Sequence, residues 1–129
     1  MDLCGKRVFL SGPMSGYPNL NVAAFADAHA AIKEAGAREV YDPAVEYLIQ
    51  PEVADAHDHA WYMTKCIAEL VRHAIPRNVN PLAIGTPCIN QTYDLLVSLP
   101  GWWDSDGACI ERMVAEACGI ECVELSEVL

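Results

Sequence analysis

Apolar and polar positions alternate along the first third of the chain in blocks typical of strands and helices. The short apolar run Arg7–Ser11 predicts a buried first strand. After a loop rich in Gly and Pro, apolar residues recur at helical spacing over Val22–Ala35, with Asn21 as the expected N-cap and Gly36 as the left-handed residue that ends the helix. Glu39–Asp42 predicts a second strand. Such a β-α-β unit favours a parallel sheet with a right-handed crossover.

The second half of the chain repeats this alternation after an irregular middle. His57–His73 has the spacing of a helix, whereas the prolines of Ala74–Asn90 predict an excursion without regular structure. Tyr93–Leu99 is a continuous apolar run, typical of a strand covered on both faces. A helix over about Ala108–Cys118 and a last strand over Ile120–Leu125 complete the pattern. We therefore expect a single α/β domain over the whole chain, built on a small doubly wound parallel sheet of about four to five strands.

Composition and charge exclude several function classes. The chain has 129 residues, of which 53% are hydrophobic and 20% charged, so a real core can form. The net charge of −10 opposes binding to nucleic-acid polymers and anionic membranes, because both need basic patches. The apolar runs are too short to span a bilayer, and the start lacks the apolar stretch of a secretory signal. We expect a cytoplasmic protein.

Cysteine and histidine spacing gives little support to disulfides or metal. The six cysteines form no CxxC pair, so reduced core thiols are the expected state. The one dense cluster of metal-ligand types is Asp55–His59, in which His57 and His59 could share a metal, although such a run is more often a solvated loop or helix start. We expect no metal or organic cofactor and keep this metal site as a minor hypothesis.

Two chemically rich loops, Ser11–Asn21 and Pro100–Gly107, each connect a predicted strand to a predicted helix. Ligands of doubly wound folds bind at the carboxyl ends of the strands, and helix N-termini favour anions. Neither loop carries a GxGxxG or a Gly-Lys-Ser/Thr fingerprint. Glu111 lies about one turn inside the helix after the second loop, where the positive helix end favours the ionised form that a nucleophile needs. The alternative is an ordinary early-turn glutamate, with Ser105 or Asp106 as a helix cap.

Segments from both halves of the chain carry a resemblance to a known family. They are Val8–Gly16, Asn21–Phe25, Tyr41–Ala44, Leu99–Trp102 and Ser105–Glu111. Together they resemble the DUF4406 family of small phage and bacterial proteins, which is related to nucleoside 2-deoxyribosyltransferases and 2′-deoxynucleoside 5′-phosphate N-hydrolases. The resemblance implies a flavodoxin-like or Rossmann-like fold, N-glycosidase or deoxyribosyltransferase-like activity, and a homo-oligomer in which a neighbour completes the pocket.

The resemblance also assigns roles to individual residues. Glu111 would attack the anomeric carbon of the deoxyribose and form a glycosyl-enzyme ester, which water or a second base resolves. In the nucleotide-hydrolysing relatives a serine six positions earlier contacts the 5′-phosphate, and here that position is Ser105. Ser105 thus favours a phosphate-bearing substrate. The other residues expected in the phosphate site are Ser11, Gly12, Met14, Ser15, Gly16 and Gly107.

Four further side chains are candidates for contact with the base or sugar. Tyr17 lies in the first loop, and Trp102 could stack on a base or serve in core or interface packing. Asp42 could bind a ribose hydroxyl or serve as a turn residue before proline. By alignment, Cys66 replaces the Asp that assists the departing base in the relatives, and Phe9 replaces an assisting aromatic hydroxyl.

A thiol is a poor general acid at neutral pH, so Asp58, Glu69 and Asp94 are alternative acids. The sequence therefore predicts cleavage or transfer at the N-glycosidic bond of a 2′-deoxynucleoside or its 5′-monophosphate, a small-molecule partner. The alternative is a non-catalytic nucleotide-binding protein on the same fold, acting as a sensor or by sequestering a nucleotide.

Overall fold

The structure is a computed structural model that describes residues 2–14, 17–45, 59–74 and 90–129. Five residues named in the sequence predictions lie outside this part of the chain. They are Ser15 and Gly16 of the first loop, and Asp55, His57 and Asp58 of the middle segment.

Four parallel strands form the main sheet. In chain order, the strands of the described chain are β1 (Arg7–Ser11), β2 (Glu39–Tyr41), β3 (His73–Ala74), β4 (Asn90–Gln91), β5 (Leu95–Ser98) and β6 (Glu121–Glu124). The main sheet has the spatial order β2-β1-β5-β6, and every pair in it is parallel. This order matches the start of the flavodoxin-like arrangement, so the predicted doubly wound α/β fold is confirmed. β3 and β4 pair antiparallel, so the two ends of the predicted irregular excursion are joined as a short ribbon.

The helices cover both faces of the sheet. They are α1 (Val22–Glu34), α2 (His59–Leu70), α3 (Asp106–Ala117) and α4 (Leu125–Val128), with 3₁₀ turns at Pro18–Asn21 and Trp102–Asp104. The short α4 was not predicted, and it begins with a capping box in which the Glu124 N–H donates to the Glu127 carboxylate. Within the described ranges, none of the helices combines the length and the apolar character that a membrane crossing requires.

The prediction for the start of α1 was wrong in one respect. Asn21 has a left-handed backbone, with φ 64°, and makes no side-chain cap hydrogen bond. A capping side chain needs extended backbone to reach the first free N–H groups, and Asn21 instead donates from Nδ2 to the Pro13 carbonyl at 2.9 Å. The predicted end of the helix is confirmed, because Gly36 has φ +104°.

Alternate residues of β1 pack against different layers. Val8 and Leu10 belong to the core that includes Phe25 of α1, whereas Phe9 belongs to the core that includes Leu70 of α2 and Ala115 of α3. Since successive side chains of a strand point to opposite faces, the residue that follows Leu10 is directed to the α2 and α3 side. That residue is the polar Ser11, and it begins the candidate site.

Among the thiols of the described chain, those of Cys66 and Cys122 pack against the core on the α2 and α3 side. No disulfide joins the five cysteines of the described ranges, of which Cys4 is exposed and the other four are partly buried. The expected core location therefore holds only in part, since none of these thiols is fully enclosed.

Candidate active site

The two loops singled out in the sequence begin side by side at the carboxyl edge of the sheet. Ser11 and Ser98 end β1 and β5 and are paired in register, and the Leu99 N–H donates to the Ser11 carbonyl at 2.8 Å. Gly12 lies so close to β5 that an added Cβ would be 2.8 Å from the Leu99 Cβ. Met14, further along the first loop, packs against the core on the α1 side. Gly12 therefore permits the close approach of two backbones rather than offering a side chain to a ligand.

Glu111 lies in the second turn of α3 with its side chain turned into the protein. The residue is only 6% exposed, and its Oε1 accepts a hydrogen bond of 2.9 Å from the Ser11 hydroxyl. The Cys66 thiol of α2 makes a second side-chain hydrogen bond with the same carboxylate. Three elements, β1, α2 and α3, thus meet at one carboxyl group.

Burial controls the charge of this carboxyl group. It raises the pKa of Glu111 to about 7, and the hydrogen bonds from Ser11 and Cys66 oppose this rise without cancelling it. The prediction that the helix end favours the ionised form was wrong, because desolvation is the larger effect on this pKa. Glu111 is therefore close to half ionised at neutral pH, in the range suited to acid, base or nucleophilic chemistry.

A cavity of about 350 Å³ opens between the two loops. Its lining residues in the described chain are Pro13, Tyr17, Gly101, Asp104, Ser105, Asp106 and Gly107. The cavity therefore brings together Tyr17, Ser105 and Gly107 from the predicted site, along with two aspartates whose place in it was not predicted. Glu111 is not among these lining residues. It lies four positions after Gly107, on the same side of α3 one turn deeper.

Ser105 acts as the N-cap of α3, as one of the two sequence interpretations allowed. Its backbone is extended, and its Oγ accepts a hydrogen bond of 3.2 Å from the Ala108 N–H. The hydroxyl hydrogen is not used in this contact, so Ser105 can cap the helix and still donate to an oxygen in the cavity.

Tyr17 and Gly101 lie next to each other in the lining of the cavity. Gly101 has φ +86°, and an added Cβ would lie 2.8 Å from the Tyr17 hydroxyl. The left-handed backbone and the neighbouring hydroxyl therefore both favour glycine at this position. Tyr17 is 42% exposed, which leaves its ring open to contact with a ligand.

Trp102 lies away from this cavity. Its Nε1 donates to the Glu124 carboxylate at 3.0 Å, and the Arg112 guanidinium lies 4.4 Å from the centre of its ring. Trp102 lines a smaller cavity of about 160 Å³ that includes Ser98 and Glu124. Its contacts correspond to the packing alternative rather than to stacking on a base in the larger cavity.

Asp42 is engaged at the end of β2. The residue is buried, one carboxylate oxygen accepts from the Ala44 N–H at 2.9 Å, and the other lies 3.1 Å from His29 Nδ1. Asp42 therefore holds the turn that follows the strand and anchors α1 to it.

The two alternative acids within the described chain lie near the opposite edge of the sheet. Asp94 precedes β5, and its carboxylate accepts a hydrogen bond of 2.9 Å from the Arg7 N–H at the start of β1. Glu69 accepts hydrogen bonds from Tyr93 at 2.6 Å and from Arg72 at 3.1 Å. The structure does not bring either carboxylate to Glu111. Cys66, the residue that replaces the family acid in the alignment, is the one that contacts it.

The partnership of Ser11 with Glu111 was missed in the sequence analysis. Ser11 was grouped with the phosphate loop because it lies next to Gly12. The alternation of β1 carried the missing signal, since it directs Ser11 to the same face as Phe9, toward α2 and α3. Ser11 and Glu111 are 100 residues apart in the sequence, so no local pattern predicts their contact.

A family comparison adds an independent finding. A family model described as "Domain of unknown function (DUF4406)" matches residues 6–76, which is 71 of the 129 residues. The chain belongs to the DUF4406 family. The matched part includes Ser11, Asp42 and Cys66, while Ser105 and Glu111 follow it. No curated protein matches the chain.

The minor metal hypothesis falls mostly outside the described part of this DUF4406 chain and stays a prediction. Asp55, His57 and Asp58 lie outside the described residues. Among the residues that the structure does describe, no group of three or more His, Cys, Asp or Glu side chains is arranged to hold a metal ion.

Proposed function

We propose that this protein is a cytoplasmic enzyme that cleaves or transfers the N-glycosidic bond of a 2′-deoxynucleoside or its 5′-monophosphate, with Glu111 as nucleophile. The observation that carries the proposal is the buried Glu111 carboxyl group, held by Ser11 and Cys66 at the carboxyl edge of the sheet. It lies one helical turn from a cavity large enough for a small ligand. The reaction type comes from the resemblance of the sequence to proteins related to nucleoside 2-deoxyribosyltransferases.

The proposed reaction has two steps. The ionised Glu111 carboxylate attacks the anomeric carbon, the bond to the base nitrogen breaks, and the electron pair leaves with the base, which takes up a proton from water. Water then hydrolyses the glycosyl ester and regenerates the carboxylate. In a transfer, a second base displaces the carboxylate from the anomeric carbon instead. Both steps pass through a transition state close to an oxocarbenium ion, which a nearby carboxylate stabilises.

The cavity lining bears on the substrate in two opposing ways. The free hydroxyl hydrogen of Ser105 and the N-terminus of α3 favour a 5′-phosphate. Asp104 and Asp106 add negative charge to the same lining, which favours a substrate with a neutral 5′-hydroxyl. The two substrate classes therefore have to be compared directly.

The test is to incubate the purified protein with the four deoxynucleosides and their 5′-monophosphates, and to measure free base by chromatography. We expect base release by the wild type and its loss in Glu111→Gln. Glu116→Gln is a matched control, because it makes the same change on an exposed side chain of α3 and should retain activity. Base release that survives Glu111→Gln unchanged would eliminate Glu111 as the nucleophile.

A second candidate function is nucleotide binding without catalysis. It is favoured by the Cys66 thiol, which occupies the neighbourhood of Glu111 where catalysis requires a good proton donor. In that case a deoxynucleotide would raise the thermal unfolding midpoint without releasing base, since a ligand that binds only the folded state stabilises it.

We also propose that the protein forms a homo-oligomer. The side chains of Trp103 and Met113 are 58% and 69% exposed, and Ile110 lies one turn before Met113 on α3. Sedimentation velocity of the wild type and of Met113→Glu tests this. We expect the charge to shift the wild-type oligomer toward monomer, and a wild type that sediments as a monomer would refute the proposal.

A further inference from the structure

We propose that Ser11 is the positioning residue of this site: its hydroxyl fixes the Glu111 carboxylate and favours the ionised form that the nucleophile requires. The inference rests on the proposed function, because it assigns Ser11 a task in preparing Glu111 for attack. It also replaces the sequence-based assignment of Ser11 to the phosphate site.

The position of the donor is set by the sheet. Ser11 is 0% exposed and ends β1, one of the two inner strands of the main sheet. The preceding residue of β1 on the same face is the buried Phe9. The Ser11 carbonyl accepts the Leu99 N–H at 2.8 Å, which ties the backbone to β5. A buried hydroxyl without a partner costs free energy, and here the partner is Oε1 of Glu111 at 2.9 Å. The donor is therefore anchored before any substrate arrives.

The other polar groups near Glu111 either are weaker hydrogen-bond donors or contact other residues. Cys66 of α2 contacts the same carboxylate, but a thiol is a weak hydrogen-bond donor. Arg112, the next residue of α3, directs its guanidinium to Ser98 at 3.2 Å and to Glu116 at 3.4 Å. The neutral hydroxyl of Ser11 is thus the strong donor that the structure shows on this carboxylate.

The chemical consequence has a definite sign. A donor to a carboxylate favours the charged form and lowers its pKa, whereas burial raises the pKa of Glu111 to about 7. Without the Ser11 donor, less of the effect of burial on the pKa is compensated. The carboxyl group should therefore titrate at a higher pH and be less ionised at pH 7. The loss of one hydrogen bond to a charged group corresponds to roughly a tenfold change in this equilibrium.

The experiment measures the titration of Glu111 directly, in the full chain and without substrate. Protein labelled with ¹³C at the glutamate carboxyl carbons is titrated by NMR, and the Glu111 signal is assigned by its absence in Glu111→Gln. Ser11→Ala is compared with Ser98→Ala, which removes the same atom from the paired residue of β5, a buried serine that contacts Arg112 instead. Ser11→Cys, which keeps a weaker donor of similar shape, serves as a second variant should Ser11→Ala not fold.

We expect Ser11→Ala to raise the pKa of Glu111, Ser11→Cys to raise it less, and Ser98→Ala to leave it unchanged. A Glu111 titration that is the same in the Ser11 variants and the wild type would overturn the inference, whatever their stability. In assays of base release, the acid limb of the kcat profile should move to higher pH in Ser11→Ala, with roughly fivefold lower kcat at pH 7, because the wild-type carboxyl group is about half ionised there. If the titration shifts but no variant or wild type releases base, Ser11 still positions Glu111 and the proposed glycosidic reaction is the part that fails.

Discussion

Glu111 illustrates how burial of an ionisable residue costs stability. A carboxyl group has an ordinary pKa of 4.5, and burial in the folded chain raises the pKa of Glu111 to about 7. The folded state therefore binds this proton more tightly than the unfolded chain does. The resulting stabilisation is complete below about pH 4.5 and is lost as the pH rises through 7.

A neutral side chain at this position should remove that pH dependence. We expect Glu111→Gln to exceed the wild type in free energy of unfolding by up to about 3 kcal/mol at pH 8, with the difference vanishing toward pH 4.5. Urea denaturation at pH 5 and pH 8 measures it, with Glu116→Gln as the control on the exposed side of α3. A wild type that is as stable as Glu111→Gln at pH 8 would contradict the assigned burial cost.

Gly12 shows a second kind of constraint at the scale of one residue. An added Cβ would lie 2.8 Å from the Leu99 Cβ, closer than atoms pack in protein cores. We expect Gly12→Ala to destabilise the fold by about 1–3 kcal/mol through overpacking between β1 and β5. The urea midpoint of the variant tests this, and an unchanged midpoint would mean that the two loops can move apart without loss of stability.

At the scale of the element, the first turn of α3 combines a structural and a proposed binding role. Ser105 caps the helix through the Ala108 N–H, and Gly107 lines the cavity next to it. A capping side chain and a ligand both use the free N–H groups of a helix N-terminus. Experiments at position 105 therefore have to distinguish an effect on stability from an effect on the choice of substrate.

Two substitutions of Ser105 distinguish these two effects. Ser105→Ala should lower the free energy of unfolding by about 1 kcal/mol, because it removes the cap, whereas Ser105→Asp should retain the cap and most of the stability. If Ser105 contacts a 5′-phosphate, the charge in Ser105→Asp should lower activity on monophosphates more than on deoxynucleosides. Equal losses on both substrates would count against a phosphate contact.

At the scale of the whole molecule, the net charge of −10 dominates long-range electrostatics. Self-repulsion of like charges weakens the compact state, and salt screens this repulsion. We expect the thermal unfolding midpoint at pH 7.5 to rise between 50 and 500 mM NaCl. The rise should shrink near the sequence pI of about 4.6, where the net charge is small. A midpoint that falls with salt at pH 7.5 would show that attractive ion pairs outweigh the repulsion.

The sequence by itself determined the order and type of most elements. The apolar runs of β1 and β5 and the helical spacing of α1 and α3 are local patterns, and each is confirmed. β1 has the predicted bounds, and the bounds of the other three elements differ from the predicted ones by at most two residues. Gly36 also ended α1 as predicted, because a left-handed backbone is a local requirement. Asn21 failed as a cap because its backbone at the end of the 3₁₀ turn is left-handed, whereas a capping side chain needs extended backbone.

Only the tertiary structure decided the chemical state of the site. The sequence identified Glu111, Ser105 and Cys66 as candidates, but it assigned Glu111 a favoured charge from its position in the helix alone. Desolvation depends on what packs around a group, and Ser11 and Cys66 reach Glu111 from other elements. Local patterns specify backbone conformation, whereas pKa values and hydrogen-bond partners arise from contacts between residues far apart in the chain.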